Sequence, residues 1–127
     1  MYNEENIGPI TLKIAKWAVE LRYEDIPKEV IEYEKILILD GIGCSILGST
    51  RQAGELIFNY VNEIGGGKPE STIWGKGKKV PVCLAGLVNG SSAHTTNIGD
   101  THAKTIVHTN YVMPQAAIAV AEKEGKD

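Results

Sequence analysis

All three histidines of this chain fall inside one stretch, His94-Thr95-Thr96-Asn97-Ile98-Gly99-Asp100-Thr101-His102-Ala103-Lys104-Thr105-Ile106-Val107-His108. It lies between two apolar, helix-like segments. Histidine changes charge near neutral pH, so each of these side chains can give or take a proton there. His102 and His108, with Lys104 close in sequence, would draw an anionic substrate. Asp100 can orient an imidazole or assist a hydroxyl such as Thr101. Metal binding is not expected, because His94, His102 and His108 are separated by eight and six residues, unlike the short-spaced pairs of common metal sites. The plain alternative is a set of caps and loop hydrogen-bonders. Which of these holds depends on whether the side chains meet in space.

The elements that must position this stretch read as helices. Ile10, Ile14, Trp17, Ala18 and Leu21 recur at helical spacing opposite Lys13, Lys16 and Glu20, which predicts an amphipathic first helix with Thr11 as its cap. Arg22 to Ile26 connects it to a second helix over about Lys28 to Leu47. Pro27 suits that helix's first turn and Glu29 its dipole. The second half, Ile36 to Leu47, is apolar nearly all round and predicts a central, buried helix. Gly41, Gly43 and Ser45 within it read as close-packing positions, since each Gly costs about 1 kcal/mol of helix propensity.

A third helix is expected over about Gln52 to Ile64, with Leu56, Ile57, Tyr60, Val61 and Ile64 as its apolar face. Gly65-Gly66-Gly67-Lys68-Pro69 breaks the chain. It is not a phosphate loop, because Pro follows the Lys and no strand precedes it. An extended piece at Ser71 to Trp74 and a turn at Gly75 to Lys79 come next, with Lys76, Lys78 and Lys79 read as a solvated run. The fourth helix is placed at Pro81 to Ala93 and the fifth at Met113 to Glu124. The alanines of the fifth imply tight packing. The fold class is therefore all-α, about five helices with a short extended or turn segment near 71–79.

Composition narrows the function classes. A chain of 127 residues with 43% apolar and 23% charged content suits one soluble core. A net charge of −3 argues against nucleic acid. No run approaches the ~20 apolar residues of a membrane span, and the acidic start Met1-Tyr2-Asn3-Glu4-Glu5 does not read as a signal peptide. A cytoplasmic location is expected. Cys44 and Cys83 are then expected as reduced core thiols, and the Asn89-Gly90-Ser91 sequon carries no glycan.

Several ordered motifs together resemble the N-terminal part of the MmgE/PrpD family, which includes 2-methylcitrate dehydratases and cis-aconitate decarboxylases. They are Leu21-Arg22-Tyr23-Glu24-Asp25-Ile26-Pro27-Lys28-Glu29-Val30, Leu39-Asp40-Gly41-Ile42-Gly43 and Gly66-Gly67-Lys68-Pro69. After these come Asn89-Gly90, His94, Gly99-Asp100-Thr101-His102, His108 and the Ala-rich helix ending in Ala121-Glu122. The resemblance covers essentially all 127 residues. It implies a helical domain whose N-terminal helices bundle with helices from the far end of a longer chain, with a separate lid domain between, in an enzyme that is often a homodimer. On that basis residues 1–127 are expected to form part of such a domain, without the lid and the returning helices.

Against the family pattern H-A-L-D-F-D-D-T-H, this stretch lacks two of the three Asp residues. Asn97 stands where its first Asp would be and Gly99 where its middle Asp would be, while Asp100, Thr101 and His102 match. Asn97 can hydrogen-bond a carboxylate but cannot act as an acid or base.

The resemblance implies a lyase acting on small polycarboxylates, by dehydration or decarboxylation, without metal or other cofactor. His108, Thr101 and Asp100 are then the expected catalytic residues. Asn97, His102 and Lys104 are the expected substrate-binding residues. Turnover by these 127 residues alone is not expected, and the expected partner is a second copy or a complementing chain. Two other readings remain open: a non-catalytic helical association module, and a His-metal hydrolase.

Overall fold

The computed structural model describes residues 8–126 and divides into two compact units, Met1–Glu34 and Lys35–Asp127. In the first, helix α1 spans Pro9–Glu20. Its first turn is set by Pro9, whose missing N–H costs nothing there. Gly8 occupies the cap position and no side chain caps it, so Thr11 lies inside the helix and is not its cap. A 3-10 turn, Tyr23–Asp25, follows, closed by the Arg22 N–H donating to Asp25 Oδ2 at 3.2 Å. Helix α2 spans Lys28–Gly48, its residues from Lys35 onward belonging to the second unit. Pro27 stands just ahead of it, its carbonyl accepting the Ile31 N–H at 3.1 Å.

In the second unit, α3 spans Gln52–Ile64, β1 Ser71–Ile73, β2 Lys78–Val80, α4 Val82–His94 and α5 Met113–Glu124. The strands form an antiparallel hairpin pairing Ser71 with Val80 and Ile73 with Lys78. Gly75 and Gly77 have positive φ in its turn, as the reversal requires.

The helix at the centre is α4, not the second half of α2. It packs against α3, α5 and both strands. Ala85 and Val88 join Val61, Ile73, Val80 and Ala119 in the main core. In α2 only Gly41, Cys44, Ser45 and Gly48 are buried, while Leu39 is 69% exposed. Hydrophobicity all round α2 does not fix which side is covered. The small residues do, because they let a neighbouring backbone approach. A Cβ at Gly48 would run into the Ser92 carbonyl, and one at Gly41 would lie 2.7 Å from the Asn110 carbonyl oxygen. Gly43, expected to behave likewise, has open space beside it.

Other expectations shift for similar reasons. On α3, Val61 is buried and Ile57 and Phe58 pack on the core, whereas Leu56, Tyr60 and Ile64 face outward. Cys44 is buried but Cys83 is exposed. The lysine run is not merely solvated. Lys76 pairs with Glu55 at 2.5 Å, Lys78 donates to Asn62 Oδ1 at 2.5 Å, and Lys79 pairs with Glu122 at 2.8 Å.

The hairpin is clamped from two sides by groups that satisfy its backbone. On α4, buried Asn89 accepts the Trp74 N–H at 2.9 Å and donates to the Thr72 carbonyl at 3.0 Å. With both ends of its amide engaged and only 2% exposure, it is shut off from any glycan. On α5, the Ala119 carbonyl accepts from Ser71 Oγ, and the Glu122 carboxylate accepts from the Thr72 N–H (2.7 Å) and hydroxyl (2.5 Å). Among the described residues no helix is long and apolar enough to cross a membrane.

Candidate functional site

The histidine stretch begins on the last residue of α4, His94, and runs as a loop to the 3-10 turn Thr109–Tyr111 that leads into α5. The loop folds back on itself. His102 and Val107 form an isolated antiparallel bridge, with the His102 N–H donating to the Val107 carbonyl at 3.0 Å. Ile106 closes this small turn at φ 55. A β-branched side chain rarely enters that left-handed region.

The turn brings Asp100, Thr101 and His108 together. His108 Nδ1 lies 2.9 Å from the Asp100 backbone carbonyl oxygen and 3.1 Å from Thr101 Oγ1. A carbonyl oxygen only accepts, so Nδ1 carries the proton in the neutral ring. Two consequences follow. The lone pair of the neutral imidazole sits on Nε2, the nitrogen left free for proton transfer. Thr101 Oγ1 can only accept from Nδ1, so its own hydroxyl proton is free for another acceptor.

Asp100 serves differently from expectation. Its carboxylate does not meet the imidazole. Oδ1 accepts the Asn110 N–H at 3.2 Å and Oδ2 accepts the Thr109 hydroxyl at 3.2 Å, which anchors the start of the 3-10 turn. Its backbone carbonyl orients His108.

Asn110, in turn, is buried and donates from Nδ2 to the Leu37 carbonyl of α2 at 3.0 Å. Gln115 Nε2 donates to the Asn110 carbonyl at 2.8 Å. The loop is thus tied by its second half to α2 and α5.

The remaining expected residues stand apart from this group. His102 Nδ1 meets Thr105 Oγ1 at 2.8 Å within the small turn. Lys104 is exposed at the tip of that turn, and Asn97 is exposed at φ 54. Asn enters that left-handed conformation more readily than most side chains. Among the described residues no cluster of three or more His, Cys, Asp or Glu is arranged to hold a metal ion.

One residue that spacing did not single out lies at the middle of the group. Tyr111 is buried in a small core with Cys44 and Ala93. Its ring stacks on His108, with centroids 5.4 Å apart and planes 29° apart, and tilts against His94 at 5.4 Å. Its hydroxyl accepts the Gly99 N–H at 2.5 Å. An aromatic three residues after a histidine is an unspecific signal, so only the geometry reveals it.

With this loop placed, comparison with known proteins decides the lineage. Residues 12–127 match the MmgE/PrpD N-terminal domain. The chain belongs to the MmgE/PrpD family. It is similar to the cis-aconitate decarboxylase-like protein oryM of Aspergillus oryzae, 30% identical over 94% of this chain and 24% of that protein. It is also similar to the cis-aconitate decarboxylase of Aspergillus terreus, 30% identical over 89% of this chain and 23% of the enzyme. The human cis-aconitate decarboxylase is 28% identical over 74% of this chain and 20% of its own length. The chain thus spans about a quarter of the length of the curated relatives it matches. As a member of the MmgE/PrpD family, it has the mostly helical architecture expected of that N-terminal domain, with the hairpin of β1 and β2 as its one sheet among the described residues.

Proposed function

We propose that this chain supplies one part of the active site of a lyase acting on small polycarboxylates, with decarboxylation as the favoured branch. The observation that carries the reading is the state of His108. Its Nδ1–H is committed to the Asp100 carbonyl, beside the hydroxyl of Thr101, which leaves Nε2 for proton transfer. The names of the relatives support the decarboxylation branch.

In that branch the bond to a carboxylate carbon breaks and CO2 leaves without the bonding electrons. The substrate carbon keeps the pair as a carbanion. Protonated His108 gives its Nε2 proton to that carbon, and the neutral ring recovers a proton from solvent. The freed Thr101 hydroxyl donates to a substrate carboxylate. His102, Lys104 and the Asn97 amide add donors for the remaining carboxylates. Asp100 acts by holding the loop.

The rest of the site would come from further chain, from a second copy or from a complementing polypeptide. Apolar residues facing outward in the second unit, Leu39 of α2 and Leu56 of α3 among them, support this. Covering each would contribute about 1.5–3 kcal/mol.

The test is turnover of cis-aconitate and of 2-methylcitrate. It is measured for the 127-residue chain and for the whole product of the reading frame that contains it. The expected result is no turnover by the short chain and CO2 release by the longer product, reduced at least 100-fold by His108→Ala. Full turnover by the 127 residues alone, or activity indifferent to His108, would overturn the proposal.

The same outward apolar residues favour a second reading, a non-catalytic association module. It predicts self-association in sedimentation together with no lyase activity in any context.

A further inference from the structure

Tyr111 reaches three parts of the histidine stretch at once: His94, Gly99 and His108. It is only 3% exposed, while His108 beside it is partly open to solvent. Two restraints therefore act on the His108 imidazole. The Asp100 carbonyl fixes where Nδ1 points, which leaves rotation about that hydrogen bond. The flat face of Tyr111, 29° from parallel, removes that remaining freedom. Tyr111 is itself held by its hydroxyl on the Gly99 N–H and by its place against Cys44 and Ala93.

Gly99 completes the arrangement. A Cβ there would run into Cε1 of the Tyr111 ring and lie 2.7 Å from Cζ and 2.9 Å from the hydroxyl oxygen. No side chain fits at position 99 while the ring stays where it is. The glycine and the tyrosine therefore depend on each other.

We propose that Tyr111 is a positioning residue for His108, and that Gly99 is glycine to admit its ring. The positioning role rests on reading His108 as the proton-transfer group; the coupling of Gly99 to Tyr111 does not. Tyr111 touches no substrate in this scheme. It fixes the plane in which His108 Nε2 presents its lone pair or proton.

The test needs no turnover. Side-chain nitrogen and proton resonances of the histidines are recorded on the isotope-labelled chain, at a pH where the imidazoles are neutral. Wild type is expected to show His108 as the Nδ1–H tautomer, with its carbon-bound ring protons displaced by the Tyr111 ring. Tyr111→Phe keeps the ring and loses the hydroxyl. It should preserve the His108 signature while the Gly99 amide exchanges with solvent at least tenfold faster.

Tyr111→Leu should leave His108 free to turn about its retained Nδ1–H bond, so that the Nδ1–H proton exchanges with solvent at least tenfold faster while the amide dispersion elsewhere is unchanged. If that variant does not fold, Gly99→Ala serves instead, since it displaces the ring from the other side and should shift the same His108 protons. The pair Gly99→Ala with Tyr111→Leu should be less destabilised than the two single losses added together.

An unchanged His108 signature in a folded Tyr111→Leu or Gly99→Ala chain would overturn the proposal and reduce Tyr111 to a core residue. Failure of the lyase reading would show instead as absent turnover with these spectral couplings intact.

Discussion

Among the described residues, Glu122 is strongly held in its charged form by its neighbours. The Lys79 ammonium donating to it, then the Thr72 hydroxyl, then the Thr72 N–H hold its carboxyl at about 2, against partial burial that pulls the other way. The ordinary value is 4.5. The folded state therefore prefers the charged form more than the unfolded chain does. The stabilisation is complete above about pH 4.5, declines as pH falls through the interval towards 2, and is gone below it.

A displacement of this size corresponds to roughly 3 kcal/mol at 1.36 kcal/mol per unit. The Glu122 side chain remains 26% exposed, so solvent screening brings the expected contribution down to about 1–2 kcal/mol. Glu122→Gln should remove about that much at pH 7. The amide keeps one acceptor for Thr72 and turns its NH2 towards another donor. The assay is urea unfolding followed by circular dichroism, for wild type and variant, at pH 7 and near pH 2. The gap between the two proteins should close at the lower pH. An equal gap at both pH values would refute the electrostatic account and leave only a packing effect.

Two further outcomes follow from the contacts of α2 and α4. Gly48→Ala should cost more than about 3 kcal/mol, or prevent folding, because its Cβ meets the Ser92 backbone. Gly43→Ala, five residues earlier on the same helix with nothing near it, should stabilise by about 0.5–1 kcal/mol; chemical denaturation of the pair measures both. Asn89→Ala should cost about 2–4 kcal/mol by stranding the Trp74 N–H and the Thr72 carbonyl. Asn89→Asp should do no better, since it sets a carboxylate oxygen against that carbonyl. Trp fluorescence during urea unfolding reads both variants, and a loss below about 0.5 kcal/mol for either would sink the clamp interpretation.

The helix boundaries were legible because they are written in residues with local effects. Pro9, Pro81 and Pro114 stand within one residue of helix starts, and Gly65 and Gly125 follow helix ends. The choice of central helix was not. Counting apolar residues favoured α2, but α4 is the one enclosed, and its buried side includes Asn89 and Ser92 beside Ala85 and Val88. A buried Asn looks like a surface residue until its partners are known. Here those partners are backbone atoms of the hairpin, which carry no mark in the sequence.

The same limit shaped the site. Thr101 and His108 carry a signal in the sequence because it is their side chains that meet. The role given to the Asp100 carboxylate belongs to its backbone carbonyl, and every residue has one of those. Asn97 and Gly99 looked like losses when judged by side chain alone. The groups that hold His108, however, are the Asp100 carbonyl, Thr101 and Tyr111, and none of them requires a carboxylate at position 97 or 99. At position 99 the direction of the argument reverses, since a larger side chain would expel the ring that faces His108. What the two departures remove is negative charge from the loop, and under the proposed lyase reading that change would favour a polycarboxylate through weaker like-charge repulsion.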